Sequence, residues 1–125
     1  MTKPDRLRRL ARAQRALAEV AKAESIAARA RFEASRAEAD EILGALNEES
    51  ALHGLAVAAM AQTLRRNGRA TERLRRVADE REALHARQDR AAEVLEERAH
   101  DEGRRASVAL ERKRLQNLVS SPPRR

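Results

Sequence analysis

The chain has 125 residues; 38% are charged and 42% hydrophobic, and the hydrophobic share is mostly alanine, with 27 Ala against 14 Leu and a single aromatic, Phe32. Without large side chains such a chain cannot build a thick globular core, and about two thirds of it being Ala, Glu, Lys, Leu and Arg is the composition of a long helix or coiled coil. Its net charge of +7 points to an acidic partner, the lack of cysteine removes disulfides and thiolate metal sites, and no apolar run suggests a signal peptide or a membrane span, so a cytoplasmic protein is expected.

Pro4 and Asp5 stand where a helix would begin, because proline fits the first turn and a carboxylate favours the positive end of the helix dipole. No further proline appears until Pro122, so the first helix is predicted over about residues 5–66. Leu10, Ala13, Leu17 and Val20 form an apolar seam, continued by Ala23, Ala27, Ala30, Ala34 and Ala37 after a one-residue stammer. Ala39, Leu43, Leu46, Ser50, His53, Val57, Met60 and Leu64 then keep strict four-three spacing. That spacing runs through Gly44 and Gly54, which are therefore read as tolerated within the helix.

Asn67-Gly68 is the strongest internal breaker, since both residues accept the left-handed backbone that ends helices. A turn is predicted at residues 67–70, followed by a second helix over about residues 71–119 with Thr71 as its cap. Its seam is looser: Leu74, Val77, Leu84, Ala91, Leu95, Ala99, Ala106, Leu110, Leu115 and Leu118. Ser120 and the prolines after it begin a disordered tail, residues 120–125. The fold class expected is all-α: one long antiparallel two-helix coiled-coil hairpin in a single domain, without a turn at Gly44 or Gly54. Contacting residues should have numbers summing to about 135, which pairs Met60 with Leu74, Val57 with Val77, Val20 with Leu115 and Leu17 with Leu118. A parallel homodimer without a hairpin is the competing architecture.

In that register the basic residues collect where the two termini meet. Residues 1–37 carry a net +6 and residues 98–125 a net +5, against −5 for residues 38–64 and −2 for residues 71–97. The predicted partner-binding set is Leu7, Arg8, Arg9, Leu10, Arg12, Arg15, Arg112 and Arg114. Leu7 and Leu10 are expected to lie beyond the reach of a second helix that stops near Val119.

Catalytic chemistry has no foothold. His53, His85 and His100 lack metal-ligand spacing, and there is no phosphate loop, nucleophile elbow or cofactor motif. Glu48-Glu49 and Glu96-Glu97 are adjacent on a helix and point apart. A two-helix rod also offers no enclosed pocket, so no enzyme and no cofactor are expected. Nucleic-acid binding is disfavoured by the lack of aromatic stacking platforms and by Asp5, Glu19, Glu24 and Glu33 among the basic residues. Protein partners are expected, with self-association into a homodimer as one form.

The segment Leu7-Arg-Arg-Leu-Ala-Arg-Ala-Gln-Arg-Ala-Leu17, the central turn and the late Ala109-Leu-Glu-Arg-Lys-Arg-Leu-Gln-Asn-Leu118 with its short polar tail together resemble the small stalk proteins of bacterial type III export: the FliJ family of flagella and its injectisome counterpart YscO. The resemblance covers the whole chain. It implies a two-helix coiled coil like that of a rotary ATPase gamma subunit, whose basic end enters an export ATPase ring. It also implies contact with the export gate and with export chaperones at the cytoplasmic side of an export apparatus. The alternative is a coiled-coil adaptor or scaffold, and after it a basic nucleic-acid-binding helical protein.

Overall fold

The computed structural model describes residues 2–48 and 54–120, and for residues 48 and 54–56 the backbone alone. Two α-helices make up the fold, α1 (Lys3–Glu48) and α2 (Gly54–Ser120), packed antiparallel as an all-α hairpin. The start of α1 is capped as its sequence suggests. Asp5 N donates to the Thr2 hydroxyl at 3.3 Å, and Thr2 N and its hydroxyl donate back to the Asp5 carboxylate at 3.2 and 2.6 Å. This reciprocal pattern satisfies donors that the first helical turn leaves open, and the Thr2 hydrogen bonds hold the Asp5 carboxyl below its usual range.

The predicted turn is in the wrong place. α2 runs unbroken through Asn67-Gly68, and no residue there takes positive φ. Asn67 is held instead as a helical residue. Its side-chain amide donates to the Ser35 carbonyl at 3.4 Å, and the Thr71 hydroxyl donates to the Asn67 carbonyl at 2.7 Å. With the Thr71 proton so used, the Ser35 hydroxyl is the donor in the 2.5 Å contact between Ser35 and Thr71. Gly68 faces open space, so its cost is the usual glycine entropy of about 1 kcal/mol, which the packing on either side offsets. Instead α1 ends at Glu48 and α2 begins at Gly54. Ser50, His53 and residues 121–125 of the expected tail lie outside the described residues, and Ser120 is still helical.

Register moves with the turn. The cross-helix pairs Lys3–Glu102, Glu24–Arg81 and Ser35–Thr71 have numbers summing to about 105, not about 135. The chain forms two compact units, a terminal one from Met1–Ala18 and Arg87–Arg125 and a central one from Glu19–Ala86.

In the central unit the buried positions of α1 are Ala21, Ser25, Ala28, Phe32 and Ser35, at three-four spacing, with Ala78 of α2 against them. Ala28, Phe32 and Ala78 pack together, with Leu74 partly buried at the edge. Arg29 lies over the Phe32 ring at 5.3 Å and reaches Asp79 and Glu82 of α2 at 3.1 and 2.8 Å. In the terminal unit the buried residues are Pro4, Ala11, Ala18, Ala92 and Ala99. Gln14 of α1 donates its amide to the Gln88 side chain, and also to the Gln88 carbonyl at 3.3 Å.

Apart from Phe32, the buried positions of both interfaces are small side chains and Pro4, which let two backbones approach closely. The large residues assigned to the seam divide accordingly. Leu46, Met60, Leu64, Leu74, Leu84 and Leu95 are half-buried. Leu17, Val20, Leu43, Val57, Val77, Leu110, Leu115 and Leu118 are exposed, so none of these eight is a buried seam residue.

Candidate partner-binding surface

The shift in register decides which residues are left for partners. Leu7 was expected to lie beyond α2. It is instead half-buried beside Lys3, and lines a shallow hollow with Arg98, Asp101, Glu102 and Arg105. The overhang belongs to the other helix. Lys3 at the start of α1 meets Glu102 at 3.6 Å, and α2 continues for another 18 residues to Ser120. Residues 104–120 are exposed throughout. They present Val108, Leu110, Leu115, Leu118 and Val119 with Arg104, Arg105, Arg112, Lys113 and Arg114, against one acid, Glu111.

At the root of this overhang lies an open groove of about 770 Å³. Its floor is made of small residues, Ala11 from α1 with Ala99, Gly103 and Ser107 from α2, and Val108 continues it onto the overhang. Its charged lining is Arg8, Arg12 and Arg104 against Glu96, with His100 beside them. Gly103 is close to Arg8, whose guanidinium would stand 3.9 Å from an added Cβ, in ordinary van der Waals contact. The groove is thus apolar at its base and cationic at its edge, a combination suited to an amphipathic segment carrying acids.

Of the predicted binding residues, Arg8 and Arg12 line this groove, and Arg112 and Arg114 lie on the overhang. Arg9 and Leu10 are exposed on α1. Arg15 forms a clamp within the unit. Its guanidinium spans Asp89 at 2.6 Å and Glu96 at 2.5 Å on α2. The hydrogen bond from Arg15 lowers the Glu96 pKa, just as the one from Arg29 lowers that of Glu82 in the central unit. Gly103, Arg104 and Val108 also line the groove, and no motif in the sequence marks them. Leu115 and Leu118, expected in a seam against Val20 and Leu17, are solvent-facing, Leu118 at 74% exposure.

Charge separates between the two units. The terminal unit carries +8, as +5 from Met1–Ala18 and +3 from Arg87–Arg125, while Glu19–Ala86 carries −1. Among the described residues no His, Asp and Glu cluster could hold a metal ion, no buried side-chain polar atom lacks a partner, and no helix is long and apolar enough to cross a membrane. No protein-family model, curated protein or solved structure matches the chain.

Proposed function

We propose that this chain is a non-catalytic helical stalk of the kind that serves bacterial type III export, and that it docks on an export ATPase ring through its terminal unit. The observation that carries this reading is the overhang of α2. An exposed helix with large apolar residues and five basic side chains stands next to the basic start of α1, and unpartnered apolar residues set among arginines suit a protein surface better than phosphate alone. The sequence resemblance adds the identity of the partner, together with the export gate and export chaperones as further contacts. A second reading, a coiled-coil adaptor or scaffold, is favoured by one separate feature: the exposed apolar stripe on α1 that includes Leu10, Leu17 and Val20.

Binding of the purified chain to a flagellar or injectisome ATPase tests the proposal. Leu115→Ser with Leu118→Ser should weaken the complex about 100-fold, mostly through faster dissociation, as two leucines lose their burial. Reversal of Arg8, Arg12 and Arg104 to Glu should chiefly slow association, in a way that rising salt masks for the unaltered protein. If neither variant changes binding, or no export ATPase binds at all, the stalk reading fails.

A further inference from the structure

α1 carries a second face that the hairpin does not use. Leu10, Ala13, Leu17, Val20, Ala23, Ala27, Ala30, Ala34 and Ala37 are all exposed, with Leu10, Leu17 and Val20 at 55–57%. They lie on one continuous helix, to one side of the positions buried against α2. The stripe has two unlike halves. Its first half holds the large residues and its second half holds only alanine. Charge differs between the two ends of the helix, on either side of a mixed middle that runs from Glu19 to Arg36. Lys3, Arg6, Arg8, Arg9, Arg12 and Arg15 oppose a single acid, Asp5, in the first part of the helix, whereas Glu38, Asp40, Glu41 and Glu48 end it without a Lys or Arg among them.

A surface with these properties complements itself. Laid antiparallel on the same helix of a second molecule, with residue numbers summing to about 47, eight of the nine stripe residues meet one another and Ala23 falls opposite Glu24. Leu10 falls opposite Ala37, Ala13 opposite Ala34, Leu17 opposite Ala30, and Val20 opposite Ala27. Each large side chain faces a small one, as close helix packing requires. Arg6 falls opposite Glu41, and two-fold symmetry makes every one of these pairings occur twice. A parallel arrangement would instead set the basic segments against each other and the acidic segments against each other. The strip from Leu10 to Ala37 spans roughly 40 Å of helix at ~1.5 Å per residue.

We infer that α1 is a homodimerisation helix, pairing antiparallel with α1 of a second copy through the Leu10–Ala37 stripe. This inference stands on α1 alone and does not depend on the export reading; the overhang of α2 takes no part in it.

Sedimentation equilibrium of the full chain over a wide concentration range is the test. The unaltered protein should reach a dimer mass, and Leu17→Glu with Val20→Glu should raise the dimer dissociation constant at least ~100-fold. Because both positions are exposed in the hairpin, circular dichroism of that variant should stay helical, which separates lost pairing from lost folding. Arg6→Glu alone should weaken the dimer, and Arg6→Glu with Glu41→Arg should restore it, since the two changes exchange charges across the pairing. A chain that stays monomeric at every concentration overturns the inference, including one whose stripe captures a different protein. So does a dimer indifferent to Leu17→Glu with Val20→Glu, or one that the Arg6–Glu41 exchange fails to restore.

Discussion

Replacing Phe32 by alanine should cost the central unit more stability than truncating any other side chain in it, about 3 kcal/mol. Phe32 is the only aromatic residue in the chain and is 8% exposed. Its neighbours across and along the interface are Ala28, Ala78 and Leu74, and two of these are alanines that cannot reach into the space the ring leaves. The loss therefore includes both the transfer energy of the ring and the void behind it. Arg29 loses its stacking surface as well, so its ion pairs with Asp79 and Glu82 would hold a more mobile side chain. An interface built from so little apolar area has no comparable residue to take over. Urea denaturation followed by circular dichroism should show a clearly lower midpoint for Phe32→Ala, and Phe32→Leu should fall between the two. A midpoint unchanged by Phe32→Ala would mean that the ring is not buried between the helices.

Ala92→Leu should destabilise the terminal unit by about 2 kcal/mol, although leucine is more hydrophobic and a good helix former. Ala92 is 0% exposed. Gln14 and Gln88 bond across the same stretch, with Arg15 on Asp89 and Glu96 beside them. A leucine at this point has nowhere to go except between the backbones, and separating them strains those polar contacts. Ala92→Ser should be far milder, because Ser25 and Ser35 already occupy equivalent buried places in the central unit. The order of stability expected on thermal melting is alanine, then serine, then leucine. Leucine ranking first would show an interface held by large apolar side chains rather than by close approach.

That contrast also explains what the sequence made legible. The fold class was readable, because an alanine-rich, charge-rich chain without internal proline can do little but form long helices. The start of α1 was readable too, from Pro4 and Asp5. The interface was not. With 27 alanines in the chain, several four-three frames coexist along each helix, and side-chain size was used to choose among them. Size chose the frame through Leu10, Leu17 and Val20, whereas the hairpin closes on the frame through Ala11, Ala18, Ala21 and Ala28.

The helix break was hidden for a related reason. The last turn of α1 has no basic residue and the first turn of α2 no acidic one, so neither end carries the charge that usually marks it. Asn67-Gly68 carries the marks of a helix end, yet Asn67 and Thr71 spend their hydrogen bonds on Ser35 and on α2 itself. The candidate surface inherits both errors. Its basic character was legible from composition along the chain. Which helix outruns the other was not, because that depends on a register about 30 residues away from the one inferred.

Register is thus the claim on which the overhang and the free face of α1 both rest. It can be measured directly, because the chain has no native cysteine. Ala28→Cys with Ala78→Cys places two thiols in one packed cluster, and mild oxidation should close an intramolecular disulfide in nearly every molecule, read as a faster-migrating monomer that reductant reverses. Val57→Cys with Val77→Cys, a pair that meets only if the chain turns at Asn67-Gly68, should stay unlinked. Efficient closure of the second pair with none of the first would contradict the hairpin described here and return the overhang of α2 to its interior.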